Sequence, residues 1–252
     1  MNIPVTERFN NRAEAYARYR PDYPAAALQL IANVLPPPAT IADIGSGTGI
    51  LSRQLLERGF AVIGVEPSEP MRRQAEQGST KAGRITQVAG IAEKTGLEEF
   101  SVDGIASGQA FHWFRPELAR VEFQRILRGN GPVFILWNEH GKSEFWTAYG
   151  EVFDRLVPEY SERGQHRHVT PDLVAAFFAP GPMRTEMFPH HQSMTLDKLL
   201  GRAQSTSYVP TPDQPGHDEI MQALRDLFDR CATDGEVELP YKTRVHFGWF
   251  SR

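Results

Sequence analysis

Cysteine is almost absent from this sequence: Cys231 is the only one in 252 residues. An internal disulfide is therefore excluded, and a reducing compartment is expected. Long apolar runs are missing too. The densest, Val133-Phe134-Ile135-Leu136-Trp137, has the length of a strand, far below the roughly 20 residues of a membrane-spanning helix. Positive charge is in short supply. Lys and Arg number 27 against 31 Asp and Glu, a net of −4, and no stretch gathers enough bases to neutralise a row of phosphates. Neither a nucleic-acid partner nor a membrane partner is expected. Met1-Asn2-Ile3-Pro4 does not lead from a basic region into an apolar run, so no secretory signal is read and a cytoplasmic location is expected. Repeats, low-complexity tracts and linker-like stretches are also lacking, and the length suits one α/β domain.

What is present is a changing rhythm. Residues 6–19 carry Phe9, Ala13, Tyr16 and Ala17 on one helical stripe. The stripe ends at Arg20-Pro21, because proline disfavours helical geometry in the residue before it. Residues 25–35 predict a second helix, closed by Pro36-Pro37-Pro38. Strands and helices then alternate. Strands are expected at 40–44, 61–65, 84–89, 102–106 and 133–137, and helices at 50–58, 68–77 and 117–127, with Ser68 as a cap. Strands this apolar point to burial on both faces, as in a parallel sheet covered by helices. After Asn138 come aromatic-rich helices at 145–156 and 171–178, joined by a polar stretch at 159–168. A strand at 183–192 and helices at 196–204 and 218–231 follow. Val237, Leu239, Tyr241, Thr243, Val245, Phe247 and Trp249 then alternate with more polar neighbours, a strand of period two.

The strongest local signal is a strand, then Asp43-x-Gly45-x-Gly47-x-Gly49, then a helix. Glycines there permit a tight turn and let a ligand approach bare backbone, while the helix start favours a negative group. A dinucleotide-binding loop uses the same physics but sets its third glycine three residues after the second. Here the spacing is two and an acid opens the motif, and both departures point away from NAD. Glu66 ends the next strand, where a carboxylate accepts both hydroxyls of a ribose. The acid alone is weak, but with the loop it is specific.

These residues resemble the class I S-adenosylmethionine (SAM)-dependent methyltransferases. The resemblance implies an α/β, Rossmann-like fold: a seven-stranded, mostly parallel sheet in the order 3-2-1-4-5-7-6, the last strand antiparallel, with helices on both faces. Asp43, Gly45, Ser46, Gly47, Thr48 and Gly49 are similar to the family's cofactor loop. Glu66 with Pro67 resembles its ribose-binding strand end, and Met71 the residue that packs on adenine. Gly90-Ile91-Ala92-Glu93 resembles the adenine-edge motif, with Ile91 where an acid is usual, which leaves the backbone around Ala92 to make the contact. Val102-Asp103-Gly104-Ile105 resembles motif IV, with Gln109 just beyond, and Arg125-Ile126-Leu127-Arg128-Gly129-Asn130-Gly131 the turn after it. Together these matches cover residues 40–137.

A narrower likeness rests on Phe9-Asn10, Tyr16, Tyr19, Arg20-Pro21, Tyr23-Pro24 and Gln109-Ala110-Phe111-His112-Trp113-Phe114. It is to the small-molecule branch that includes trans-aconitate methyltransferases, which turn carboxylates into esters. It implies that the N-terminal helix forms a lid and that Tyr16, Arg20 and Tyr23 hold the methionyl carboxylate; a polar surface helix with a proline stop is the alternative. On this reading residues 1–252 form a single methyltransferase domain. Its parts are N-terminal lid helices at 1–35, a SAM-binding core at 36–138, a substrate-cap insertion at 139–205, and a C-terminal helix and strand at 206–252.

SAM brings its own activated methyl group, so the protein mainly aligns an attacking atom. A carboxylate acceptor needs no base at neutral pH, whereas a hydroxyl or amine is helped by one. His112, just after the motif IV strand, is the candidate catalytic residue, as a base or as a hydrogen-bond donor; a pocket wall is its bland alternative. His112, Trp113, Phe145 and Trp146 are expected to touch the acceptor, the last two on stripes that suit a core equally well. The pairs His166/His168 and His190/His191 lack helix-face spacing and acidic or cysteine partners, so no metal is expected. Ser107-Gly108-Gln109-Ala110 stands where amino-directed DNA and protein methyltransferases carry an Asn/Asp-Pro-Pro-Tyr-like motif. That favours O-methylation of a small molecule over a macromolecular substrate. A SAM-binding protein without turnover and an NAD-dependent oxidoreductase are the competing readings.

Overall fold

A computed structural model describes residues 13–78, 83–157, 160, 169–206 and 208–251. Phe9-Asn10, the start of the first predicted helix, and the His166/His168 pair lie outside the described residues.

Two helices come first, α1 (Ala13–Tyr19) and α2 (Ala25–Val34). Pro24 precedes α2 with φ −65 and ψ 145, a geometry its ring favours at a helix start, where no N–H is missed. The alternating region gives β1 (Thr40–Ile44), α3 (Ile50–Glu57), β2 (Ala61–Val65), α4 (Glu69–Gln77), β3 (Thr86–Val88) and β4 (Gly104–Gly108). A 3-10 turn (Phe111–Trp113), α5 (Pro116–Ile126) and β5 (Val133–His140) follow. The remainder is α6 (Glu144–Leu156), α7 (Pro171–Phe178), β6 (Met183–Met194), α8 (Leu196–Gln204), α9 (His217–Cys231) and β7 (Val237–Gly248).

The strands form one sheet in the order β3-β2-β1-β4-β5-β7-β6. β7 runs antiparallel to β5 and β6, and the other pairs are parallel. The order implied by the resemblance is the order observed. On one face α2 and α3 cover Ile31, Ile41, Leu55, Phe134 and Phe247; on the other α5 and α7 cover Ile44, Ile105, Phe123, Ile135 and Phe178. Each such burial stabilises by about 1.5–3 kcal/mol. A one-residue slip in register would swap the faces, so the pairing is firmly specified. A third apolar cluster joins α6, α8 and α9 to the start of β7, through Trp146, Phe153, Leu199, Leu224 and Tyr241.

Three local expectations change. β4 begins later than predicted, with Val102 left in an isolated bridge to Leu127. There the Asp103 carboxylate takes the Thr40 N–H at 2.7 Å, closing the strand entrance with a side chain. β3 is shorter, pairing only with Ile63, Gly64 and Val65. Ser68 occupies the N-cap of α4 without a side-chain cap bond, while its own N–H goes to Glu66 at 2.8 Å. Among the described residues no helix is long and apolar enough to cross a membrane. Because β1, β2, β4 and β5 are parallel, their carboxyl ends share one edge of the sheet, and the loops that leave them meet there.

Candidate active site

A cavity of about 510 Å³ lies along that edge, and an inner recess of about 110 Å³ sits behind the glycine loop. The loop turns through Gly45 (φ +70), Gly47 (φ +54) and Gly49 (φ +79), conformations that disfavour a side chain. The three glycines serve different ends. A Cβ on Gly45 would come within 2.5 Å of the Ala110 Cβ, and one on Gly49 within 2.7 Å of Ile85 Cδ1, so both allow the protein to pack on itself. A Cβ on Gly47 would meet no protein atom within 4 Å. Gly47 lines both spaces, so its bare Cα leaves room for a ligand.

Two acids flank this loop. Glu66 follows β2; its Oε2 accepts the Gly47 N–H at 3.1 Å and its Oε1 the Ser68 N–H at 2.8 Å. Burial pushes its carboxyl up, and the two N–H bonds pull it back down. Each carboxylate oxygen has a second lone pair to offer, and Glu66 lines the larger cavity, which suits a ribose diol. Asp43 is 1% exposed. Its Oδ2 accepts from Ser52 Oγ at 2.6 Å, while Oδ1 is buried without a partner among the described residues, as is Thr48 Oγ1. Burial raises the Asp43 carboxyl to about 7. A buried lone acceptor on the recess wall fits a cation such as an ammonium group. A nucleoside carrying an amino-acid tail therefore suits the residues present.

The loop from Gly90 to Glu93 closes one end of the cavity. Ile91 and Lys94 exchange backbone bonds of 3.1 and 3.0 Å, and Ala92 is buried behind them. Glu122 fixes the far side, accepting from Thr95 N–H and Oγ1 at 2.8 and 2.6 Å; Arg125 holds its carboxyl at about 2. Glu93 takes the Arg115 N–H at 2.6 Å, tying this loop to the start of α5. At the centre, Gln109 adopts φ +57, which costs an L-residue about 1–2 kcal/mol. Its amide offsets this by bonding the β5 backbone: Asn138 N–H donates to Oε1 at 3.0 Å, and Nε2 donates to Asn138 O at 3.4 Å. His112 lies 4.4 Å from Trp113 and 5.2 Å, edge-on, from Trp137.

Helix α1 packs on α4 and α8 and places Tyr16 and Arg20 in the walls of both spaces. The chain after α1 is pinned. Gln54 exchanges bonds of 3.0 and 2.8 Å with the Tyr23 backbone, and Asn138 Nδ2 donates to Asp22 O at 2.8 Å. Arg20 Nε donates to Ser205 Oγ at 3.0 Å, joining this segment to the end of α8.

Of the residues singled out in the sequence, Asp43, Ser46 and Thr48 line the recess, and Gly45, Gly47, Gln109, Tyr16 and Arg20 line both spaces. Glu66, Pro67, Met71, Ile91, Ala92, Glu93, His112 and Trp113 line the larger cavity. Gly49 is absent from the walls; its role is helix packing. Phe145 and Trp146 require a correction, since neither faces the cavity. Their stripe on α6 turns into the cluster with α9, and Trp146 Nε1 is occupied by Pro240 O at 2.9 Å. From residues 139–205 it is His140 and Arg202 that line the recess, and just beyond them Thr206 and Tyr208 line the larger cavity. The sequence reasoning missed these, along with Trp137, Asn138 and Tyr241. A signal existed for two of them: His140 ends a parallel strand, and Arg202 shares a helix face with Leu199 and Ala203.

Comparison with known proteins agrees with this geometry. The family described as a methyltransferase domain matches residues 42–135. An uncharacterized methyltransferase of Mycobacterium tuberculosis is 34% identical over 245 residues, covering 93% of this chain and 92% of that protein. Among solved structures, one described as a type II methyltransferase from Anaeromyxobacter dehalogenans has a TM-score of 0.62 at 24% identity, covering 92% of this chain and 97% of its own. A sarcosine dimethylglycine methyltransferase from Galdieria sulphuraria has a TM-score of 0.53 at 18% identity, covering 88% and 83%. At these identities the two structures speak for the fold alone. Sheet order, glycine loop and full-length relative converge: the chain belongs to the class I SAM-dependent methyltransferases.

Proposed function

We propose that this methyltransferase transfers a methyl group to an oxygen of a small-molecule acceptor, a carboxylate or a hydroxyl. The observation that carries this reading is that His112, Trp113, Trp137 and Tyr208 line the same cavity as the glycine loop and Glu66. An enclosed aromatic wall of this kind suits a small acceptor. The residue pattern that resembles the trans-aconitate branch supports a carboxylate in particular.

When bound, SAM supplies a methyl group already activated on a cationic sulfonium. In this reading Glu66 holds the ribose, Met71 and the Ile91-Ala92 backbone hold the adenine, and Asp43 with Tyr16 and Arg20 holds the amino-acid tail. Gln109, fixed to β5, sets where the tail ends and the acceptor begins. The aromatic wall keeps water away from an attacking anion, whose charge is cancelled as the methyl moves, so a dry surround favours transfer. His112 directs the acceptor oxygen by a hydrogen bond. A carboxylate, already ionised, asks no more of it.

The test is transfer of labelled methyl from SAM to a panel of carboxylic acids, phenols, alcohols and amines, with a protein extract alongside. Label in esters or ethers is expected. Label confined to amines or to protein would overturn the proposal. Absence of product in every arm, with S-adenosylhomocysteine (SAH) still bound, would make the chain a SAM-binding protein without turnover.

A further inference from the structure

Arg202 is 5% exposed, yet it makes no ion pair among the described residues, and its Nη1 is buried without a hydrogen-bond partner. Its Nη2 meets His140 Nε2 at 3.2 Å. The guanidinium lies 5.2 Å from the Trp146 ring centre and 5.6 Å from that of Tyr241. Trp146 stacks on His140 with ring centres 3.7 Å apart and planes 6° from parallel. Burial, with Arg202 and then Arg20 nearby, pushes the His140 pKa down to about 3. A neutral imidazole accepts from Arg202 and cannot balance its charge. Tyr241 is 3% exposed, and its hydroxyl too has no hydrogen-bond partner among the described residues. Both groups line the inner recess with Arg20, and Asp43 stands on the wall formed by the glycine loop. Leaving a guanidinium and a hydroxyl buried and unsatisfied is expensive, and a carboxylate relieves both at once.

We propose that Arg202 and Tyr241 form a carboxylate seat at the inner end of the site, with His140 and Trp146 as positioning residues that hold the guanidinium plane. This rests on the reading of the cavity as the place where cofactor and acceptor meet. Two sources offer the same chemistry. One is the cofactor's own tail, whose ammonium and carboxylate match Asp43 on one wall and Arg202 on another. The other is an acid group on the acceptor, drawn in by the positive charge of Arg20 and Arg202 on the recess wall. In either case the seat is built by α8 and β7, outside the residues that match the family.

Calorimetry on Arg202→Met and Arg202→Lys decides between them. The probes are SAH, 5′-methylthioadenosine, which lacks the amino-acid tail, and succinate added to SAH-saturated protein. If the seat takes the cofactor tail, Arg202→Met weakens SAH by about 10–100-fold, spares methylthioadenosine, and is partly rescued by Arg202→Lys. If it takes the acceptor, SAH affinity stays within about twofold and the variant loses the succinate binding that wild type shows. Wild-type behaviour of Arg202→Met with all three probes overturns the proposal. Methylthioadenosine binding also reports folding. Should it collapse, Tyr241→Phe, which removes only the hydroxyl, takes over: a smaller loss with SAH or succinate supports the seat, and no loss overturns it. These readouts are binding constants, so failure of the methylation panel leaves them interpretable, and their failure leaves the panel intact.

Discussion

Around Glu66, where the nucleoside is proposed to sit, backbone does much of the work. Two N–H groups orient Glu66, bare glycine makes room at Gly47, and a tight turn presents Ile91 and Ala92. In the inner recess and at the proposed acceptor site the walls include side chains gathered from β5, α8 and β7: His140, Arg202 and Tyr241 in the recess, and Trp137 in the larger cavity. Backbone walls recognise what every enzyme of the family binds, and a few contiguous residues suffice. Side-chain walls are free to differ, and they depend on elements far apart in the chain being packed together first. A change at Gly47 should abolish cofactor binding without unfolding the protein, whereas a change at His112 or Trp137 should alter turnover or selectivity.

The sharpest way to break this contrast is Gly47→Val. Its Cβ enters ligand space rather than protein, so SAH affinity should fall about 100-fold or more, while stability drops only by the about 1–2 kcal/mol of a left-handed L-residue. Gly45→Ala is the counter-case. Its Cβ would strike Ala110 at 2.5 Å, so thermal melting should register a loss before calorimetry does. Unchanged SAH affinity in Gly47→Val would refute the distinction. His112→Ala probes the other end and should lower kcat about tenfold with SAH affinity intact. A loss beyond about 100-fold, steepest for hydroxyl acceptors, would instead mark His112 as a general base.

The smallest expected effect is that of pH. Burial lifts Asp43 to about 7, and a tail ammonium favours its ionised form, so SAH affinity should rise about threefold from pH 6.5 to 7.5. Asp43→Asn should flatten the profile; a wild-type profile already flat would remove Asp43 from the tail site. The sign for the ligand-free fold is opposite. With the folded carboxyl raised above its ordinary 3.8, the stability it lends is full below about pH 4 and is lost as pH rises through about 7.

The sheet order, and the gathering of the glycine loop and Glu66 on one cavity wall, were legible in the sequence because their determinants are local. Period-two and near-continuous apolar strands, glycines at turn positions and acids at strand ends each act through neighbours in the chain. The acceptor end was less legible for the converse reason. On α6 an aromatic stripe reads the same whether it faces ligand or core, and here Phe145 and Trp146 face the core because α9 supplies Leu224 and Leu227 to cover them. Arg202 looks like any surface arginine until Leu199 and Ala203 fix which side of α8 is buried. Tyr241 belongs to a strand whose inward face was read correctly, but nothing in the period says that its hydroxyl opens on a recess.

The sheet order has a consequence for the newly synthesised chain. Among the described residues β6 pairs with β7 alone, and β7 is made after α8 and α9, so β6 exists for a time as a strand without this partner. An unpaired strand is a template for neighbouring polypeptides. β6 is poorly suited to that use: Pro189 lacks an N–H to offer, and Arg184 and Glu186 set charges along it. The same residues continue to guard it once folding is complete, because β6 then forms the outer margin of the sheet.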